Sequence, residues 1–204
     1  MIIYGASGHG KVIIDILESI GESNIIVWDD AEKLSIWEYK VLRPFPDGMQ
    51  ISDMMIISIG RNATRKKVAE RFGSAVAFGT AIHAAAHISK RAAEIGEGTV
   101  VMAGVVVNPD VRIGRHCIIN TSASIDHDCM IGDYVHVSPN VTLSGDVRIG
   151  EGTHVGSGAS VIQGIKIGKW CTIGAGAVII NDIPDYATAV GNPARIIKVK
   201  EAEA

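Results

Sequence analysis

The sequence predicts a mainly β protein: a triangular solenoid of short parallel strands, preceded by a small βαβαβ unit. Three observations predict it. An aliphatic residue recurs at every sixth position through Ile95, Val101, Val107, Ile113, Ile119, Ile125, Ile131, Val137, Leu143, Ile149, Val155, Val161, Ile167, Ile173 and Ile179, without a break. Two residues before each runs a second, slender column, from Ala93, Thr99 and Val105 through Cys117, Ala123 and Cys129 to Cys171 and Ala177. Glycine follows the aliphatic residue at 96, 114, 132, 150, 156, 168 and 174, where a turn of unusual φ is expected to want it.

A period of six belongs neither to a helix (3.6) nor to a flat strand (2), and a β-sandwich would show period two with irregular loops. Three hexapeptides close a coil of 18 residues that buries its aliphatics inward and stacks on the next, so no coil is stable alone. The preceding segment has another character. "MIIYGASGHGKVIIDILESIG" reads as strand, Gly-rich turn and helix, with Val12, Ile13, Ile16, Leu17 and Ile20 on one face. "NIIVWDD" is a second strand. "MMIISIGRNATRKKVAERFG" repeats the scheme, with a strand over 54–59, a turn at Gly60, a helix from Ala63 to Phe72 and a stop at Gly73. "AVAFGTAIHAAAHIS" supplies a strand and the link onward. The expected organisation is a Rossmann-like βαβαβ domain over 1–80, the solenoid over 81–184, and a tail over 185–204 that leaves the repeat at Pro184 and caps it.

Composition narrows the function classes. A net charge of -3 over 204 residues gives no basic footprint, so no nucleic-acid partner is expected. Three cysteines (117, 129 and 171) form no CxxC pair and read as reduced packing thiols of the slender column. No charged n-region precedes a long apolar stretch, and the apolar runs fall short of the roughly 20 residues that span a bilayer. The expectation is a cytoplasmic protein with no membrane insertion.

Two constellations carry chemistry. The turn Gly5-Ala6-Ser7-Gly8-His9-Gly10 exposes backbone N–H groups at a helix start, suited to phosphate oxygens, and Asp29 and Asp30 stand where an acid accepts from a ribose or base. One mononucleotide-sized half suits a nucleotide without a nicotinamide. In "SIDHDC", His127 lies two places after the inward Ile125 and should point outward, with Asp126 or Asp128 holding its tautomer and raising its basicity. One coil on, Gly145 leaves room beside it and a bare N–H for an oxyanion. His154 should stack over His136. A zinc site drawn from His116, His127, His136 and His154 across two chains competes, but the HxxxxH pair of hexapeptide-repeat carbonic anhydrases is absent and no metal is expected. His83 and His87 precede the regular repeat as cap residues or neighbours of the nucleotide turn.

These stretches together ("YGASGHG", a strand ending "DD", "IGRNATRKK", then "NTSASIDHDCMIGDYVHVSPNVTLSGDVRIG") resemble the sialic-acid O-acetyltransferase (NeuD) family of hexapeptide-repeat acyltransferases, and within it the UDP-4-amino-sugar N-acetyltransferases of the bacillosamine pathway. The resemblance implies a left-handed hand for the parallel β-helix, acetyl-CoA as co-substrate, and a homotrimer with acetyl-CoA between neighbouring β-helices. It implies His127 as general base and Asp128 in place of an acid, often Glu, that raises the base's pKa. It places His136 near the thioester, Gly145 as donor to its carbonyl, and Ser157 and Ala175 along the pantetheine channel. Ser7, Gly8, His9, Asp29, Asp30 and Gly60 match positions that hold the uridine nucleotide of the nucleotide sugar. Exposed aliphatic stripes such as Val106 and Ile118 are expected to be covered at a three-fold interface.

The expected activity is acetyl transfer to the 4-amino group of a nucleotide-activated, UDP-linked sugar for glycan biosynthesis. The alternative is a sugar O-acetyltransferase acting on sialic acid or a related hydroxyl, which the same base would serve. A non-catalytic module that binds nucleotide sugars without turnover, and metal-dependent hydration, are the readings from other classes.

Overall fold

The computed structural model describes residues 1–32, 34–43, 53–91 and 93–200. The N-terminal unit is a five-stranded sheet, β1 (Ile2–Tyr4), β2 (Ile26–Trp28), β3 (Ser35–Ile36), β4 (Tyr39–Leu42) and β5 (Met55–Ile57), in the order β3-β4-β2-β1-β5. All pairs are parallel except the β3–β4 hairpin, which sequence reasoning did not anticipate. Helices α1 (Gly8–Ser19) and α2 (Asn62–Phe72) follow β1 and β5. Helix α1 buries Ile13, Ile14, Ile16 and Leu17, whereas Val12 and Ile20 of the expected apolar face are exposed. The strand expected within "AVAFG" reduces to a bridge between Phe78 and Met55.

The solenoid begins at Ala81–Ile82. Its first face stacks that strand with Val100–Val101, Ile118–Ile119, His136–Val137, His154–Val155 and Thr172–Ile173. The second face runs from His87–Ile88 to Val178–Ile179, and the third from Glu94–Ile95 to Lys166–Ile167. Regular coils pair at an offset of 18, as in Val106↔Ser124, but the opening ones pair at 19, as in Ala81↔Val100 and His87↔Val106. One extra residue before Ile95 hid these two strands from the period-six count. At the far end Ala187–Gly191 joins the first face and turns back as the antiparallel strand Ala194–Val199.

Both inward columns are packed to near-complete burial, forming one core from Val101 to Ala189. Each fully buried aliphatic contributes about 1.5–3 kcal/mol, and stacking makes the gain cooperative. The slender column's Thr99 and Thr153 satisfy their hydroxyls on the Gly114 and Gly168 carbonyls, at 2.9 and 2.7 Å.

The glycines that follow the aliphatic column have a different reason from the one expected. A Cβ on Gly114 would lie 2.7 Å from the Asp133 amide, and one on Gly150 2.6 Å from the Gly168 carbonyl carbon, so side chains there would push the coils apart. Positive φ falls two residues later, at Gly98, Gly104, Asp110, His116, Ser122 and their successors. Close approach of coils selects these glycines.

The two units dock through the first face. Ile13, Ile14, Ile16 and Leu17 of α1 share a core with Val100, Met102 and Ile118. Ile118 is therefore covered by its own chain, which corrects its expected role as a free stripe; Val106, on the second face, stays half-buried. Arg65 of α2, 1 % exposed, donates to the carbonyls of His116 (2.7 Å), Tyr134 (2.9 Å), Ile59 (2.9 Å) and Gly60 (3.2 Å) and to Asn62 Oδ1 (2.9 Å). Asn62 in turn donates to the Gly152 carbonyl at 3.0 Å. Residues 116, 134 and 152 are successive coils of one edge, so α2 is locked in register with the solenoid.

Candidate active site

His127 sits on the edge between the second and third faces, its side chain exposed. Its Nδ1 is 2.7 Å from Asp128 Oδ2. That hydrogen bond, then the charge of Asp126, raises the imidazole pKa above its ordinary value. Asp126 itself holds the loop, its Oδ1 accepting from Asn108 Nδ2 and from the His127 amide, both at 2.8 Å. Of the two acids left open by the sequence, Asp128 is the one on the ring.

Gly145, one coil on, lies directly against the imidazole. A Cβ there would fall 2.6 Å from His127 Cε1 and 2.7 Å from Nε2. Among the described residues the amides of Gly145, Ser157 and Ala175 donate to no other group of the chain. Ser157 and Ala175 are exposed on a different edge, between the first and second faces.

His136 projects from the first face, beneath the N-terminal unit. Its ring stacks on His154 (centroids 4.7 Å, interplanar 11°), and its Nε2 is 3.2 Å from Asn120 Nδ2. His154 Nε2 is held by Ser138 Oγ at 2.8 Å. Burial, reinforced by His154, Arg65 and His9, lowers the His136 pKa to about 3, while a hydrogen bond to the Gly60 backbone acts the other way. Gly60 and His9 of the N-terminal unit thus lie beside His136 of the solenoid. The chain does not bring His136 to His127: they border opposite edges of the second face.

In the nucleotide turn, Gly5 has φ 117° and Gly10 lets the helix approach, since a Cβ there would lie 2.6 Å from the Gly5 carbonyl oxygen. Ser58 Oγ donates to the Tyr4 carbonyl (3.1 Å) and to that of Gly5. Ser7 occupies the N-cap position of α1 with no side-chain cap, and no acid stands in the first turn, so the helix start is available to an anion. Gly8 faces open space. Asp29 Oδ2 accepts from the Ala6 amide (2.6 Å), tying the second strand's end to the turn. Asp30 Oδ2 accepts from Tyr4 Oη (2.5 Å) and Arg71 (2.9 Å), which hold its carboxyl below the usual range. His9 is driven down to about 4, chiefly by burial, and among the described residues its buried Nε2 has no partner.

The remaining candidates separate cleanly. His116 is buried between Phe78 and Tyr134, its pKa lowered to about 4 by burial. His83 Nδ1 accepts from the Ala85 amide, and His87 lies exposed on the second face. Cys117, Cys129 and Cys171 are buried free thiols; burial pushes Cys117 up to about 12 and Cys129 to about 11. Among the described residues no group of three or more His, Cys, Asp or Glu could hold a metal ion, and no helix is long and apolar enough to cross a membrane. Sequence reasoning missed Arg65, Asn62, Asn120 and Ser138. The spacing 62, 65, 69, 72 places the first two on the helix face of Ala69 and Phe72, and that was the available signal.

Comparison with known proteins agrees with this architecture. The PglD N-terminal domain family matches residues 1–72, and the bacterial transferase hexapeptide family matches 92–125 and 146–181. The acetyltransferase domain of PglB from Neisseria gonorrhoeae FA1090 is 35% identical with a TM-score of 0.91, covering 96% of this chain and 98% of that one. PerB from Caulobacter crescentus, solved in complex with CoA and GDP-perosamine, is 35% identical with a TM-score of 0.88, covering 97% and 96%. The UDP-N-acetylbacillosamine N-acetyltransferase of Bacillus subtilis (strain 168) is 45% identical over 116 residues; the match spans half of its length. With a PglD-type unit of two helices docked on a left-handed β-helix, the chain belongs to the hexapeptide-repeat sugar N-acetyltransferases of which PglB and PerB are members.

Proposed function

We propose that the protein transfers acetyl from acetyl-CoA to the 4-amino group of a UDP-linked amino sugar in glycan biosynthesis, with His127 as general base. The observation that carries this reading is the exposed His127–Asp128 pair at 2.7 Å, lying on Gly145 with its unpaired amide. The amine attacks the thioester carbonyl, forming the C–N bond and a tetrahedral oxyanion that accepts from the Gly145 amide. His127 takes the ammonium proton, the C–S bond breaks, and CoA leaves as thiolate. General-base catalysis of this kind contributes typically 10²–10⁴-fold. No side chain is acylated, in keeping with three cysteines that are buried and held as thiols.

The nucleotide lies at Ser7, Gly8, His9 and Gly60, with Asp29 and Asp30 shaping the turn. Both acids already accept hydrogen bonds within the chain, so the ribose takes their remaining lone pairs. The acetyl donor runs along Ser157 and Ala175 with its thioester near His136. That edge is one prism face away from the chain's own His127, about six extended residues or ~20 Å. A homotrimer closes the gap. Beyond His87 in its first strand, the second face presents Val106, Ser124, Thr142, Ser160 and Val178, short and uncharged, whereas the third presents Arg112, Arg148 and Lys166. Packing each second face on its neighbours sets the His127 edge of one chain beside the His136 edge of the next, with charge kept off the contact.

The test is CoA release from acetyl-CoA with a panel of UDP-, GDP- and dTDP-linked 4-amino sugars beside free and CMP-linked sialic acid. Turnover with a UDP-linked amino sugar, lost by ~10² or more in His127→Ala, supports the reading. Turnover only with a sialic acid moves the acceptor to a hydroxyl, and turnover indifferent to His127→Ala removes the base.

A further inference from the structure

The left-handed turn position of the solenoid is filled differently on its three edges. Between the first and second faces it holds Gly104, Ser122, Asn140, Gly158 and Gly176; between the second and third, Asp110, Asp128, Asp146 and Gly164. These are the residues that tolerate positive φ at least cost. Between the third and first faces Gly98 and Gly152 hold it in two coils, but His116 (φ 53°), Tyr134 (φ 59°), Trp170 (φ 54°) and, at the last turn, Tyr186 (φ 60°) fill it in the others. Large aromatic rings in that conformation need a compensating use.

For the first two the use is visible. His116 meets Phe78 edge-on and stacks on Tyr134, and Tyr134 packs with Ala69 of α2, so both are part of the junction between the two units. The next coil has Gly152 at this position, with the Trp170 ring packed over it, and the rings then resume past the covering helix. Trp170 lies beyond it and Tyr186 further on, both half-buried, and they line a cavity of about 510 Å³ between α2 and the last coil. Arg61, Lys67 and Lys200 line the same cavity. Lys66 also borders the cavity, but its charge is spent on Glu151 at 2.6 Å, with the ammonium 5.6 Å from the Trp170 ring centroid. Glu70, the one acid of the lining among the described residues, is 3.9 Å from the same Lys66. Arg61, Lys67 and Lys200 have no carboxylate partner among the described residues. Three cations without a carboxylate partner among the described residues, set around two aromatic rings, stand out in a chain whose net charge is -3.

We propose that this cavity is a second nucleotide site, separate from the acceptor turn and from the donor edge. A purine or pyrimidine base lies on Trp170 and Tyr186, and the phosphates lie among Arg61, Lys67 and Lys200. Aromatic rings take a base by stacking, and cations in a partly enclosed cleft take phosphate by charge-assisted hydrogen bonds. The site stays open in the assembly proposed above, because its edge is the one that does not border the second face. The inference does not need the acetyl-transfer reading: it concerns binding alone.

The probe is ADP, titrated into the full chain with CoA present at saturation, and read by calorimetry and by tryptophan emission. The chain has three tryptophans, Trp28, Trp37 and Trp170. ADP is expected to bind and to quench emission. The quench should vanish in Trp170→Phe, which keeps a ring but loses the fluorophore, while the calorimetric binding persists. Lys67→Glu, an exposed change on α2, should weaken ADP by about tenfold or more and leave the acceptor KM unchanged. No binding at millimolar ADP overturns the proposal. So does a quench that survives Trp170→Phe, or an affinity indifferent to Lys67→Glu, since either outcome puts the nucleotide elsewhere. Acetyl transfer measured on the same preparations reports separately on the catalytic reading.

Discussion

Gly145→Ala isolates what the missing side chain does for His127. The added Cβ would stand 2.6 Å from His127 Cε1 and 2.7 Å from Nε2, where ordinary carbon contacts need ~3.5 Å. The imidazole must therefore move by roughly 0.9 Å. It can do so, because the side chain is exposed and only the 2.7 Å bond to Asp128 holds it. Gly145 has no positive φ, so the methyl adds no backbone strain, and the amide remains to meet an oxyanion. Stability should stay within about 0.5 kcal/mol of wild type, as for a surface change. The rate should not: a displacement near 1 Å at a reacting group costs ~10²-fold. Thermal unfolding and initial rates of CoA release on one preparation separate the two effects. An unchanged kcat would refute the idea that the empty space at Gly145 positions the base. A kcat loss matched by a large fall in Tm would assign the glycine to packing instead.

Two further substitutions probe the base and the junction. Asp128→Asn removes the main cause of the raised His127 pKa. The base must be neutral to act, so wild type should lose rate as pH falls through that raised value, and the variant's acid limb should move to lower pH with a lower plateau. A limb that belongs to the substrate ammonium would stay where it is, and that result would disprove the assignment. Arg65→Met leaves the carbonyls of His116, Tyr134, Ile59 and Gly60 without their buried donor. The cost should be on the order of 3 kcal/mol, or a Tm lower by roughly 6–12 °C in a chain of this size. A Tm shift under about 2 °C would show that water replaces the guanidinium.

The solenoid was legible because its physics repeats. Stacking forces one inward aliphatic per hexapeptide, so Ile95 to Ile179 announce the coil fifteen times, and the same count places Gly145 one coil after His127 and His154 one coil after His136. The glycine column was legible as a pattern, yet its cause was misread: close approach and positive φ both select glycine, and only the neighbouring coil's backbone distinguishes them. One extra residue before Ile95 defeated the count for the first two strands. The choice between Asp126 and Asp128 was not legible, since each is adjacent to His127 and only the turn geometry sends one carboxylate to the ring and the other to the backbone.

The junction was the least legible part, for a reason of electrostatics. "RNATRKK" offers four cations in one helical stretch, and a charge run ordinarily reads as a solvated face. Burying one of them is tolerable only if its N–H groups find acceptors, and here those acceptors are carbonyls, which leave no mark in a sequence. Two of them belong to His116 and Tyr134, 18 residues apart, and Asn62 adds the carbonyl of residue 152. A helix that reads three successive coils cannot slide by one coil without losing its whole set of hydrogen bonds. The register of the coils is therefore also the register between Gly60, just before α2, and His136 of the solenoid. The distance from the nucleotide turn to the solenoid's histidines is fixed by the same 18-residue period that builds the core, and the buried arginine transmits it.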